Sequence, residues 1–112
     1  MERDDRQFLL TTAWFFAKHG QGPRARVLCE ALVEDDPKDG ISVAALAELL
    51  LADGEAQRAL SAVRGAAFPA ELARVEALLE TRALQALGRR EEGDRRWKRY
   101  LAASRGRARE WV

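Results

Sequence analysis

The 112-residue chain has one cysteine, Cys29, and one histidine, His19. A lone cysteine cannot close a disulfide within the chain. Neither residue recurs at metal-ligand spacing, so a disulfide scaffold and a zinc module are both excluded, and a reducing cytosol is the expected setting. Long apolar runs are also missing: none approaches the ~18 residues that suggest a membrane span. The start, "MERDDRQFLLTTAWFF", mixes charges and lacks the basic opening and small-residue cleavage site of a secretory signal. The formal net charge is only +1, which gives no overall pull toward nucleic acid or membrane.

Hydrophobic residues make up 47% of the chain and charged residues 33%, the balance of a globular protein. The length suits one domain, residues 1–112, with a modest core. The charge is unevenly spread. Residues 1–87 carry 10 basic and 14 acidic groups, and residues 88–112 carry 9 and 4, so an acidic partner would be drawn to the C-terminal stretch.

Gly20, Gly54 and Gly88 are spaced by 34 and 34 residues. Five residues after each comes a small residue, Ala25, Ala59 or Gly93. Four before each lies Phe16, Leu50 or Leu84, and three earlier still Ala13, Ala47 or Thr81. Four beyond the small residues lie Cys29, Val63 and Trp97. A period of 34 with small residues at fixed offsets is the signature of tetratricopeptide-like helix–turn–helix units. The glycine stops one helix by taking left-handed backbone angles, and the small residues let paired helices cross closely. Pro37 follows the first unit and stops its second helix.

The fold class that follows is all-α: a tetratricopeptide-like right-handed superhelix of three antiparallel helix pairs, in units of about 6–39, 40–73 and 74–107. The periodicity predicts helices over 5–19, with Phe8, Leu9, Thr12, Ala13 and Phe16 on one face, and over 23–34 and 41–52. Further helices are predicted over 56–65, over 69–87 (opened by Pro69) and over 91–104. The tail "RGRAREWV" is expected to add a helical turn or to be loose.

No catalytic set emerges, so the chain is expected not to be an enzyme and to need no cofactor or metal. His19 falls at a helix end with no partner placed for acid–base work. Cys29 falls on an inward position, where a thiol behaves as a small hydrophobe. "EDD" (34–36) precedes a proline and reads as a solvated turn rather than a metal site. "HGQGPRA" (19–25) has no strand before it and no P-loop lysine and hydroxyl after it, so it is a turn rather than a phosphate loop. "GRREEGDRRWKR" (88–99) sets basic residues beside Trp97, as a single-strand binder would. Its acidic residues dilute the field, and no nucleic-acid partner is expected.

What remains is a concave face lined by the first helix of each unit. The repeat register places Gln7, Leu10, Trp14, Ala17 and Lys18 on it from the first unit. Ile41, Ala44, Glu48, Leu51 and Ala52 follow from the second, and Val75, Leu78, Arg82, Gln85 and Ala86 from the third. So apolar a face suits an amphipathic helix or extended peptide, unless Leu10, Trp14 and Leu78 simply pack between helices. The client-binding residues expected to matter most are Leu10, Trp14, Ala17, Ala44, Glu48, Leu51, Leu78 and Arg82.

The stretch "RQFLLTTAWFFAKHGQGPRARVLCEALVEDDP" (6–37) resembles the start of YscY-type (SctY) chaperones of bacterial type III secretion. The shared features are Phe8-Leu9-Leu10, Trp14, Gly20, Arg24-Ala25, Leu28, Ala31-Leu32 and Pro37. Arg82-Ala83, Gln85, Gly88, Trp97 and Tyr100-Leu101 are similar to that family's end, so the resemblance covers most of the chain outside 40–75. "AAFPAELARVEALLETRALQALG" (66–88) is similar to the YscG-type (SctG) needle-subunit chaperones. The first resemblance implies a cytoplasmic bacterial chaperone that binds a small, early-exported secretion protein and presents it to the cytosolic domain of the export gate. The second implies a chaperone that sequesters the needle subunit's C-terminal helix, with a helical co-chaperone, and prevents premature polymerisation. A generic tetratricopeptide-like adaptor is the third reading. The expected assembly is a heterodimer or heterotrimer with the protein client.

Overall fold

The computed structural model describes residues 1–110, with side chains through Arg107. Among the described residues there are six α-helices: α1 (Arg3–Lys18), α2 (Gly22–Asp35), α3 (Gly40–Ala52), α4 (Ala56–Gly65), α5 (Ala73–Ala86) and α6 (Arg90–Glu110). No strand occurs among them. Helix α5 begins four residues later than the position of Pro69 predicts. Pro69 is extended, with ψ of 156°, and its carbonyl first accepts a 2.9 Å bond from the Leu72 amide, closing a 3₁₀ turn over Ala70–Leu72. Helix α6 runs past the predicted end at Ser104 as far as Glu110, and Trp111 and Val112 lie outside the described residues.

Three turns of one design connect α1 to α2, α3 to α4 and α5 to α6. Gly20, Gly54 and Gly88 sit at φ of 73°, 78° and 76°, the left-handed region that a Cβ disfavours. The residue after each glycine donates its amide back to the carbonyl four before the glycine. Gln21 bonds Phe16, Glu55 bonds Leu50 and Arg89 bonds Leu84, each at 2.8 Å. This is the Schellman closure, which satisfies carbonyls that a helix end would otherwise leave open. Just beyond, Ala25, Ala59 and Gly93 are buried, and so are Ala13, Ala47 and Thr81 on the preceding helices. A Cβ on Gly93 would lie 3.4 Å from the Thr81 carbonyl, so α5 and α6 cross nearly backbone to backbone. The 34-residue spacing thus marks one turn made three times.

Each helix packs on the next, and α3 also packs on α5. Val43, Leu46, Ala47 and Leu50 of α3 are buried in the main core, with Cys29, Ala59, Val63 and Leu79 against them from the neighbouring helices. Leu60, Ala83 and Leu84 form a second cluster, and Leu51 packs against both. On α1 only Ala13 is fully buried. Phe8, predicted on one face with it, is 69% exposed. It lies about 100° around the helix from Leu9, and among the described residues α1 packs closely along α2 and not along another helix.

Two polar clamps fix the unit joints. Arg6 of α1 donates through Nη1 to the Leu32 carbonyl at 3.2 Å and to Asp35 at 2.7 Å. Through Nη2 it donates to Asp39 at 2.8 Å and to Ser42 Oγ at 3.2 Å. Asp39 also caps α3, accepting from the Ile41 amide at 3.2 Å, and takes the Ser42 hydroxyl at 2.7 Å. Arg26 of α2 similarly joins Glu30 at 2.9 Å, Asp53 at 2.8 Å and Glu55. The first turn of α3 lies against the loop before the 3₁₀ turn, where the Ala67 amide donates to the Lys38 carbonyl at 2.9 Å. A Cβ on Gly40 would stand 2.9 Å from both the Ala67 oxygen and the Phe68 Cα.

That approach makes Gly40→Ala destabilising, by about 1–3 kcal/mol for an overpacked site. Gly65 has open space around its Cβ position and is exposed, so Gly65→Ala should hold or slightly raise stability. Paired thermal melts check this, and equal shifts would contradict the close approach. Acid should also unfold the protein. Burial alone would raise the Asp39 carboxyl, but hydrogen bonds from Ser42, Arg6 and the Ile41 amide outweigh it and hold it below the usual range. Burial likewise opposes ionisation of Glu80, and the bonds from Arg96 and Arg64 outweigh it. Both groups are depressed in the folded state, so the unfolded chain binds more protons. The stability they supply should be complete above about pH 5 and be lost progressively as the pH falls below the ordinary carboxylate range and through their depressed folded-state values. Denaturant midpoints measured from pH 7 to 3 would show the fall, and Glu80→Gln should flatten it.

Candidate protein-binding cleft

Helix α3 has close neighbours in α2, α4 and α5, whereas α1 packs closely on α2 alone. The seam between α1 and α3 is therefore open. It holds an apolar cleft of about 370 Å³. Helix α1 supplies Leu10, Ala13, Trp14 and Ala17, and α3 supplies Ile41, Ala45, Glu48 and Leu49, with Cys29 of α2 at the floor. The reason is local. Ala13, Ala17 and Ala45 have too little side chain to close the gap, and the larger Leu10, Trp14 and Ile41 stand around it. Glu48 is the one charged residue on the lining. Toward the N-terminus of α3 the cleft shares Leu10 and Ile41 with a wider depression of about 610 Å³. Arg3, Arg6, Gln7 and Asp39 add polar groups to that depression, beside the apolar Met1, Leu10 and Ile41. The two form one trough, apolar at one end and of mixed character at the other.

Trp14 is 61% exposed, a large apolar surface left in water at the rim. Its ring lies 5.5 Å from the Lys18 ammonium, within reach of a cation–π contact. Glu48 pairs with Arg82 of α5 at 2.8 Å, and because both side chains are about half exposed the pair adds little stability.

Of the eight client-binding residues read from the sequence, the fold brings Leu10, Trp14, Ala17 and Glu48 into the cleft. Arg82 joins it through Glu48, and Leu78 stands one turn before Arg82 on α5, partly exposed. Ala44 and Leu51 do not line the cleft: both are half-buried and pack against the core. Sequence reasoning left Ala13, Cys29, Ala45 and Leu49 out of the groove. Their helical spacing is that of ordinary core positions, and only the gap between α1 and α3 turns them into lining.

The other motifs have structural partners. His19 Nδ1 lies 2.8 Å from the Phe15 carbonyl, and its ring stacks on Phe15 at 4.1 Å. Asp35 pairs with Arg6, and Asp36 accepts from the Lys38 amide at 3.2 Å. No cluster of metal-ligating side chains occurs among the described residues. Trp97 is half-buried, its ring 5.2 Å from that of Tyr100. No helix among the described residues is long and apolar enough to cross a membrane. Compared with known proteins, the chain matches no protein-family model and no curated protein.

Cys29 is 1% exposed, and burial first, with the Glu30 charge second, pushes its thiol pKa up to about 11. At pH 8 about one thiol in a thousand is ionised. Labelling by a disulfide reagent should therefore be at least a hundredfold slower in the native protein than in denaturant, as absorbance kinetics would read. A native rate near the unfolded one would mean that the cleft floor opens.

Proposed function

We propose that the chain is a non-enzymatic, tetratricopeptide-like chaperone that holds an apolar helix of a protein client in the α1–α3 cleft. The observation that carries this reading is the cleft itself: about 370 Å³ of apolar lining open to water, with Trp14 exposed at its rim. An amphipathic helix laid along the trough would bury that surface and set its polar edge against Arg3, Gln7 and Asp39. Covering the client's apolar face would keep it from aggregating or self-assembling before delivery. The three identical glycine turns support the tetratricopeptide-like arrangement of three helix pairs in a short superhelix. The resemblance to the YscY-type family makes the client a small early-exported component of type III secretion, in a bacterial cytoplasm. The YscG-like alternative makes it the needle subunit.

Trp14→Ala should weaken client binding by about 2 kcal/mol, roughly thirtyfold in Kd, as expected for an aromatic anchor. Its melting temperature should change little, because the side chain is mostly exposed. Ala17→Glu, an exposed position on the same lining, should act in the same direction. The measurement is quantitative recovery of the native-cell partner by the wild type and both variants, with its identification by mass spectrometry. Equal recovery by all three places the client elsewhere. A partner unrelated to secretion leaves the adaptor reading and removes the chaperone one.

A further inference from the structure

On α4, α5 and α6, apart from the residues of the α1–α3 cleft, lies a second pocket of about 300 Å³ with opposite chemistry. Four arginines line it, Arg64, Arg95, Arg96 and Arg99, together with Glu80, Glu92 and the apolar Leu84. The two glutamates are already committed. Glu80 takes Arg64 Nε at 3.0 Å and Arg96 Nε at 2.7 Å, and the Glu80 and Arg96 side chains are only 13% and 12% exposed. Glu92 is held in the fork of Arg89, one bond at 3.0 Å. Arg95 and Arg99 have no carboxylate within 4.0 Å among the described residues. They stand four residues apart on α6, about 6 Å from each other on one face of the helix. Arg64 comes to the same pocket from the last turn of α4.

The buried Glu80–Arg96 pair thus acts as a base plate. It fixes Arg64 and Arg96 in place, while Arg95 and Arg99, both exposed, line the pocket with no ion pair of their own among the described residues. Planar guanidinium forks match carboxylates two bonds at a time. We propose that this pocket is a docking site for an acidic segment of a protein partner, whose Asp or Glu carboxylates pair with Arg95 and Arg99. A protein segment fits better than a nucleic acid. A nucleic-acid path needs a continuous positive track with free rings for stacking. Here Glu91 and Asp94 interrupt α6, and Trp97 and Tyr100 lie against each other. The pocket is independent of the cleft, so one partner could occupy both surfaces or two partners one each.

The test uses the full chain and two fluorescent probes at 50 mM salt, an eight-residue oligoglutamate peptide and a twelve-nucleotide oligothymidine, read by anisotropy. The main comparison is between the wild type, the pocket variant Arg95→Glu/Arg99→Glu and a charge-matched control, Arg74→Glu/Arg105→Glu, with Arg99→Ala and Trp14→Ala beside them. All four positions are exposed, so the folds should persist, and Arg99→Ala serves as a milder third variant. Oligoglutamate should bind the wild type more tightly than oligothymidine does. The pocket variant should lose at least tenfold, Arg99→Ala about threefold, and the control less than threefold. Trp14→Ala should leave oligoglutamate binding unchanged, which separates this site from the cleft. Equal losses in pocket and control variants would reduce the effect to net charge and overturn the site. So would tighter binding of oligothymidine, or no oligoglutamate binding at all.

Discussion

The geometry of the candidate cleft rests on the Arg6 guanidinium. It is the side chain of α1 that joins both the end of α2 and the start of α3, through one carbonyl, two carboxylates and a hydroxyl. Helix α1 has no close packing against α3 to set their separation. A charged fork at one end of the seam sets it instead, and a buried alanine, Ala13, anchors the middle of α1 on the core. Asp39 takes part in this joint and also caps α3. The same carboxylate therefore starts a helix and holds the width of the trough beside it.

Much of the fold was legible because its turns are local. Gly20, Gly54 and Gly88 each take a backbone conformation that glycine alone reaches easily, and the residues that respond to it sit at fixed offsets in the chain. Ala25, Ala59 and Gly93 had to be small for the same reason each time, so the period shows in the sequence. The start of α5 was less legible. Pro69 does favour the first turn of a helix, but the turn it opens here is 3₁₀, and it follows a loop that packs closely on Gly40, a long-range contact that local propensity does not report. Phe8 was misplaced because helical periodicity assigns a residue to a face without saying whether another helix covers that face.

The cleft was half legible for a related reason. Leu10, Trp14, Ala17 and Glu48 follow from the repeat register alone. Ala44 and Leu51 follow from the same register and yet pack inward, because α3 is enclosed by three helices. Cys29 is the converse, a core position by every local sign that a missing helix contact turns into a cleft floor. The molecule thus separates its chemistry by region. The apolar cleft lies between α1 and α3, with Glu48 as the one charged residue on its lining. The arginine pocket lies in the last two units, where the basic excess of residues 88–112 is concentrated.

The repeated glycine turn also bears on how the chain reaches this structure. Each turn joins helices that are adjacent in sequence, and the longest closely packed pair is α3 with α5. Contacts of that kind need little loop closure before they form, the condition under which helical domains fold fast. The first helix pair ends at Asp35, so it can close while the later pairs are still being made. Half of the candidate cleft, the α1 wall and the Cys29 floor, belongs to that first pair. Only the arrival of α3 and the setting of Asp39 against Arg6 complete it. A partner meeting the chain during synthesis would find one wall before it finds a groove.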